Sequence, residues 1–391
     1  MTTNTAIKTL IKDESLPLAW LDMDRLEKNI AQLKTMASPL KIRIASKSIR
    51  CRYVIEELLN NHSDIFQGIL AFHPEEAEWL ASHGLKDIVV GYPYLRWFDQ
   101  QTSIKKEWDE ITFMVDRREH LEVIDNMAKR LKTKINICFD IDLSTSHFGI
   151  YFGVYRSSLK NEAILKDRLE FLKQCQHLRL KGVMGYEAQI AGVGDNNPFK
   201  KILNPIIKLL KKSSMKQVIK KRIAMTKLCE SYGHQLAFVN GGGTGSLHFT
   251  KKDPSVTELA AGSGLYAPLL FDYYEDFHFE SAAGFALEVT RQSVDKTFTA
   301  AGGGYIASGS IGQDKSPRPM NDEEIKLDIN EGCGEVQTPL HTSKNLSFGE
   351  AVLFRHAKAG ELCERFNQLT IIHNNKLIKK PTYRGENQCF L

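Results

Sequence analysis

One lysine and two glycine-rich runs carry most of the chemistry legible in this chain. Lys47 sits in Ser46-Lys47-Ser48, directly after the apolar run Ile42–Ala45. A lysine amine condenses with carbonyl groups when burial or a neighbouring cation makes it nucleophilic. Arg43, four residues earlier, is a candidate neighbour. A second apolar stretch leads into Asn240-Gly241-Gly242-Gly243-Thr244-Gly245-Ser246, and a third into Ala261-Gly262-Ser263-Gly264. Glycines let backbone N–H groups approach an anion, and Thr244 and Ser246 add hydroxyl donors. Neither run continues as Gly-Lys-Ser/Thr, which disfavours a nucleotide-hydrolase phosphate loop. Taken alone, each run reads as readily as a tight turn. Lys47 alone reads as readily as a surface lysine with its stem laid on apolar neighbours.

The elements that must position these residues are regular. Nearly continuous apolar runs predict strands near Ile42–Ala45, Ile69–Phe72, Ile88–Gly91, Ile111–Val115, Ile135–Asp140, Gly182–Tyr186, Leu236–Val239 and Glu258–Ala261, the pattern of strands buried on both faces. Amphipathic segments separate them. One is Ser48–Asn60, with Ser48 as expected N-cap; another is Met215–Tyr232, ended by Gly233. Eight such strand–helix units predict an α/β fold, a (β/α)8 barrel; a doubly wound open sheet is the rival. From Phe285 onward the stretches FALEVTRQSV, AAGGGYIASG, GEVQTPL and EAVLFRHA predict a mostly-β C-terminal domain. The expected divisions are residues 1–23 as an N-terminal segment, 24–284 as the barrel and 285–391 as the β domain. Leu18–Asp22 (LAWLD) is an extra strand that pairs with the β domain or packs beside it.

Active sites of such barrels lie at the C-terminal ends of the strands. That rule brings Lys47 to the same mouth as the loops after strands seven and eight, the usual phosphate-binding pair. An amine facing a phosphate pocket suits a Schiff base with pyridoxal 5′-phosphate, which needs a lysine for its aldehyde and donors for its phosphate. The rule also selects Tyr186, Glu187 and Gln189 as substrate contacts, with structural hydrogen bonding as the alternative. Asp140 and Asp142 could do acid–base work or cap the next segment, and His147 is a candidate base.

Composition narrows the setting. A formal charge of +5 over 391 residues gives no reason to expect nucleic acid. The lysine-rich stretch Lys200–Lys227 reads as a solvated helical face. The seven cysteines include no CxxC pair; Cys51, Cys138, Cys175 and Cys229 are expected as buried free thiols in a reducing compartment. Residues 1–14 carry no apolar run of signal-peptide length, and no window is apolar enough for a membrane span. A cytoplasmic protein with no membrane or nucleic-acid partner is expected.

The run from Arg43 to Ser48, followed in order by VNGGGTGS, ELAAGSGLY, AGGGYIASG, GEVQTPL, FRHAKAGEL and TYRGE, resembles the fold-type III pyridoxal phosphate enzymes. Within that class it is similar to the D-threonine aldolase and D-serine dehydratase group, in its amino-acid aldolase or deaminase branch. The resemblance implies an alanine-racemase-type barrel, a following β domain, and a homodimer in which the partner's β domain closes each site. It implies Lys47 as the Schiff-base lysine, with Arg43 nearby. It implies Gly242, Gly243, Thr244 and Gly245 at the phosphate, joined by Ser263 and Gly264, with Tyr266 lining the site. Two positions depart from the family. Ala45 replaces a histidine two residues before the lysine. The family's metal-binding His-x-Cys or His-x-Asp pair is here His356-Ala357-Lys358. A protonated lysine has no lone pair for a metal. The expectation is therefore that Lys358 supplies the positive charge, with His356 catalytic beside it and a His356–Glu361 metal site as the alternative. The implied activity is a lyase acting on a β-hydroxy D-amino acid, by aldol cleavage or dehydration. The alternatives are a racemase and a non-catalytic cofactor carrier.

Overall fold

The computed structural model describes residues 3–147, 149–310, 312–320 and 324–391, without the side chain of residue 150. Residues 1 and 2 of the expected N-terminal segment lie outside the described residues. The first strand, β1 (Leu18–Asp22), is buried at every position. Asp22 then caps the helix Met23–Ala37 by accepting from the Arg25 N–H.

The apolar runs form a barrel. Its strands are β2 (Ile42–Ala45), β3 (Phe66–Ala71), β4 (Ile88–Val90), β5 (Ile111–Val115) and β6 (Ile135–Asp140). A small hairpin follows, β7 (Thr145–His147) with β8 (Ile150–Phe152), and then β9 (Leu178–Gly185), β10 (Phe238–Gly241) and β11 (Glu258–Ala261) complete the set. All eight barrel strands are parallel, in the closed order β10-β11-β2-β3-β4-β5-β6-β9. Leu259 opposite Ile42 and Ala261 opposite Ile44 fix the register of β2, the strand that leads into Lys47. Val89, Met114, Cys138, Met184 and Phe238 pack together in one apolar cluster. A larger cluster joins residues such as Ile44, Ile69, Val90 and Val115 to the surrounding helices. Burial on both faces is why these strands read as unbroken apolar runs.

Two local expectations change. Ser48 does not cap a helix. Residues Ser46–Ser48 form a short 3-10 turn, and the helix begins at Arg52 behind Cys51, which makes no side-chain cap. Arg50, at φ +49°, turns the chain between them. The helix expected from Met215 starts earlier, at Asn204, with Pro205 in its first turn, where a missing N–H costs nothing. Its lysines are mostly exposed, but Lys211 pairs with Asp195 at 2.9 Å and Arg222 is fully buried.

The second sheet contains β12 (Ala283–Val294), β13 (Thr297–Ala301), β14 (Arg318–Pro319), β15 (Lys326–Leu327), β16 (Gln337–His341), β17 (Ala351–Arg355), β18 (Gln368–His373) and β19 (Lys376–Pro381). Its main path runs β15-β16-β13-β12-β1-β18-β19, with β17 beside β12. LAWLD therefore lies inside this sheet, antiparallel to β12 and parallel to β18. The run AAGGGYIASG is strand only at its start. Gly302 and Gly303, at φ +85° and +120°, turn it away from the sheet toward the barrel mouth. The two layers are tied together by Tyr383, whose N–H donates to Arg50 O at 2.9 Å and whose hydroxyl donates to buried Glu76 at 3.0 Å. All seven cysteines are free, and only Cys389 is exposed. Among the described residues no helix is long and apolar enough to cross a membrane.

Candidate active site

A cavity of about 1330 Å³ opens where the C-terminal ends of the barrel strands meet the β domain. Lys47 enters it from the turn after β2 and donates a hydrogen bond to the Tyr92 hydroxyl at 3.1 Å. Tyr92 follows β4 and was not among the sequence candidates. Burial alone would raise its phenol, but the Lys47 ammonium and the Arg156 guanidinium outweigh that and hold it below the usual tyrosine range. Gly360 of the β domain packs on the Lys47 backbone so closely that an added Cβ would collide with the Lys47 carbonyl oxygen. The lysine is thus fixed from the barrel and from the second domain together.

The glycine loops form another wall. Gly242, Gly243, Thr244, Gly262 and Ser263 all line the cavity. A Cβ on Gly262 would meet Ala45 O at 2.7 Å, and one on Gly243 would meet the Tyr186 ring at 3.0 Å. Side chains larger than hydrogen would fill this recess. Hydroxyls of Thr244, Ser263 and Ser48 edge it, with Ser48 and Ser263 within 3.0 Å of each other. The set fits a phosphate ester: a recess only glycine permits, rimmed by hydroxyl donors. Gly245 and Gly264 do not line it. A Cβ on Gly245 would strike Ala191 O and the Tyr274 ring, and the Gly264 N–H donates to Thr244 Oγ1 at 3.2 Å, so both shape the loops from behind.

Several expected site residues lie elsewhere. Arg43, 1% exposed, runs toward the opposite end of the barrel. There it pairs with Glu258 at the start of β11 (2.7 Å) and with Asp87 just before β4 (2.9 Å). It cannot tune Lys47. Tyr266 is fully buried, its hydroxyl donating to Ile49 O at 3.2 Å. Glu187 is also fully buried and faces away from the cavity. It pairs with Arg222 at 2.7 Å and accepts from the Gly242 N–H at 3.2 Å, from Ser246 Oγ at 3.1 Å and from Thr250 Oγ1. Gln189 donates to Leu143 O at 2.7 Å, holding the loop after β6. His147 is buried among Thr145, Ser213 and Ser214. Glu187, Gln189 and His147 support the walls without forming them. Ser246 belongs with them.

Tyr186 does line the cavity, as do Asp140 and Asp142. Burial pushes the Tyr186 phenol up to about 12. Burial, with the nearby charges of Asp116 and Asp142, pushes Asp140 up to about 8 despite the opposing pull of Arg156. Arg156 completes this side. It follows the β7–β8 hairpin, and its guanidinium lies 5.7 Å from the Tyr186 ring centroid.

On the β-domain side, Lys358 Nζ donates to Ser308 Oγ at 2.7 Å and lies 3.7 Å from Glu361. Glu361 in turn accepts the Ser308 N–H at 3.0 Å. All three line the cavity. His356 does not. It is buried, burial and adjacent Arg355 lower its imidazole to about 3, and neither ring nitrogen meets a hydrogen-bond partner of normal geometry, with the Ala283 backbone close by. Among the described residues no group of three His, Cys, Asp or Glu side chains could hold a metal ion. A divalent ion does not fit this donor set, and the His356–Glu361 alternative does not assemble.

Comparison with known proteins follows the same outline. The family profile described as "Alanine racemase, N-terminal domain" matches residues 21–267. A 3-hydroxy-D-aspartate aldolase of Paracoccus denitrificans (strain Pd 1222) is 24% identical over 259 residues, covering 66% of this chain and 61% of that protein. The match thus spans less than two thirds of the curated relative's length. Among solved structures, D-threonine aldolase from Filomicrobium marinum superposes with a TM-score of 0.75 at 14% identity, covering 96% of both chains. D-threo-3-hydroxyaspartate dehydratase from Delftia sp. HT23 gives 0.76 at 15% identity, covering 95% of this chain and 98% of that one. At such identities the two structures establish a common fold.

Proposed function

The chain belongs to the alanine racemase N-terminal domain family, and from that premise we propose that it is a pyridoxal 5′-phosphate-dependent lyase acting on a β-hydroxy D-amino acid. The observation that carries this reading is Lys47 Nζ, held by Tyr92 at 3.1 Å in the same cavity as the glycine recess and its hydroxyl rim. The aldolase and dehydratase names borne by its relatives support the β-hydroxy substrate class.

Pyridoxal phosphate, when bound, supplies an electron sink for negative charge at the substrate Cα. Gly242, Gly243, Thr244 and Ser263 are the residues to hold its phosphate, and Lys47 Nζ its aldehyde carbon. Released from that role, Lys47 Nζ takes or returns a proton at Cα. Tyr92 OH orients the amine and offers it a proton path to the cavity. Lys358 Nζ, anchored on Ser308 and Glu361, donates a hydrogen bond to the substrate's β-oxygen. An ammonium there stabilises charge developing on that oxygen without a metal ion.

Products distinguish the reactions. The purified, cofactor-loaded enzyme is offered D- and L-serine, threonine and alanine. Glycine with an aldehyde identifies aldol cleavage, and an oxo acid with ammonia identifies dehydration. Inversion of alanine as the only activity contradicts the lyase. A homodimer is part of the proposal. Phe199, Ile202, Leu203, Ile206 and Leu209 are exposed close to the cavity residues Lys200 and Ile207, and Ile202 alone is 89% exposed. Apolar patches of this kind mark interaction surfaces. Light scattering at the mass of one chain would contradict the dimer.

A further inference from the structure

Behind the cavity wall, beside the turn that carries Lys47, lies a carboxyl group that the chemistry above does not use. Glu76 is fully buried in the first turn of the helix Pro74–Ser82. It meets three separate parts of the chain. Its Oε2 accepts the Phe72 N–H at 2.7 Å, just past β3 and at the cavity. Its Oε1 accepts the Tyr383 hydroxyl at 3.0 Å, from the last segment of the β domain. Its third polar neighbour is the hydroxyl of Ser46, the residue before Lys47. Tyr383 is itself well fixed. Its N–H donates to Arg50 O at 2.9 Å, and its ring packs edge-on against Trp79, on the helix of Glu76, with centroids 4.9 Å apart. One carboxyl group therefore joins the Lys47 turn, the end of β3 and the β domain.

Counting protons fixes its state. A serine hydroxyl has one proton to give. That of Ser46 goes to Leu70 O, in β3, at 3.1 Å. Ser46 is then left as an acceptor toward Glu76, and a proton between the two belongs to the carboxyl. With Glu76 neutral, every donor in this relay is used: the Phe72 N–H and Tyr383 hydroxyl donate to Glu76, Glu76 to Ser46, and Ser46 to Leu70 O. With Glu76 ionised, Ser46 turns its proton to the carboxylate and gives up Leu70 O. The titratable or charged groups that face Glu76 are Arg50 from the turn after β2, Tyr94 from the segment after β4, and Tyr383. Arg50 is already paired with Glu364 at 2.7 Å. Burial pushes the Glu76 carboxyl up to about 7 against the pull of Ser46, the Phe72 N–H, Tyr383 and Arg50.

We propose that Glu76 is the positioning residue for Lys47: as a neutral acid it donates to Ser46, and so holds the turn that carries the amine against β3 and, through Tyr383, against the β domain. The assignment rests on the reading of Lys47 above and deepens it. Its proton then controls how firmly the amine is placed. As pH rises through about 7 the Ser46–Leu70 link opens. The stability this carboxyl contributes follows the same sign, whole below its unfolded value and lost through about 7.

Two measurements test it. In the first, kcat of the loaded enzyme at saturating substrate is followed across the neutral range for wild type, Glu76→Gln and Tyr383→Phe. Wild type shows an inflection at about 7, with kcat about 3- to 10-fold lower above it and KM within about 2-fold. Glu76→Gln, whose amide N–H stays at every pH, loses that inflection. Tyr383→Phe takes one donor from the carboxylate and moves the inflection up by about one pH unit. A merely structural Glu76 would lower kcat or stability and leave the inflection where it was. In the second, infrared spectra of the cofactor-free chain are taken as wild type minus Glu76→Gln. The difference carries the C=O stretch of a protonated carboxyl on the acid side and loses it on the alkaline side. An inflection that survives in a folded Glu76→Gln or stays in place in Tyr383→Phe, a flat profile in wild type, or no protonated-carboxyl band overturns the proposal. Failure of wild type to bind pyridoxal phosphate is a different result: it refutes the cofactor reading while the infrared band still reports on Glu76.

Discussion

Replacing Glu187 separates a supporting role from a substrate contact. Its carboxylate is fully buried and accepts from four donors: Arg222 at 2.7 Å, the Gly242 N–H at 3.2 Å, Ser246 Oγ at 3.1 Å and Thr250 Oγ1. In Glu187→Gln the amide oxygen keeps Arg222 and Gly242, but its NH2 faces two hydroxyls that must turn to accept. The charge assistance to Arg222 is lost, although Asp253, 2.6 Å away, still balances that guanidinium. The cost is about 2–3 kcal/mol, the difference between charged and neutral hydrogen bonds in a buried site. Glu187→Ala removes the partner outright and leaves the Arg222 side without it, at about 3–5 kcal/mol. Urea unfolding followed by circular dichroism measures both. Because Gly242 loses its anchor in Glu187→Ala but keeps it in Glu187→Gln, cofactor affinity falls in the alanine variant, whereas in both KM for the amino acid at saturating cofactor stays within about 2-fold, uniform substrate binding being untouched. A variant as stable as wild type with KM raised by an order of magnitude would refute this reasoning and return Glu187 to the substrate.

Tyr92→Phe removes the phenol that holds Lys47 at 3.1 Å; kcat should fall about 10- to 100-fold, with KM little changed, in steady-state assays of the loaded enzyme. Asp140, held up to about 8 by burial and by Asp116 and Asp142, is protonated in the folded chain at neutral pH. A group raised in the fold contributes stability that is whole below its unfolded value and is lost as pH rises through about 8. Thermal unfolding scans across pH 5–9 should show that decline, and Asp140→Asn should flatten it; an unchanged slope contradicts the assignment. Gly360→Ala is expected to destabilise the chain and weaken cofactor binding together, because φ +86° disfavours alanine and its Cβ collides with the Lys47 carbonyl. Unfolding and cofactor titration of the same variant check both effects.

The barrel was legible because its strands are buried on two faces and so are written as unbroken apolar runs. Lys47 and the glycine loops were legible because each directly follows such a run, and strand ends define the mouth. Direction was not legible. Arg43 is only four residues from Lys47, yet its long side chain runs to Asp87 and Glu258 at the other end of the barrel. The presence of Glu258 at the opening of its strand is the signal that such a partner existed. Glu187 follows a strand just as Tyr186 does, but the two face opposite sides. A lone arginine, Arg222, within a lysine-rich helix hinted at the buried partner. Arg156 carried no signal at all, because a hairpin and a turn deliver it and neither has a periodicity. Ser48 looked like a helix cap because its hydroxyl precedes an amphipathic run; it faces the cavity because Arg50 turns the chain first.

The most direct test of the central claim is the visible absorption of purified chain after addition of pyridoxal 5′-phosphate and removal of excess. The account predicts a protonated Schiff-base band in wild type, discharged by borohydride to a covalent adduct that peptide mass spectrometry places on Lys47, and no band in a folded Lys47→Ala. A wild-type chain that stays colourless, or an adduct on another lysine, would contradict it.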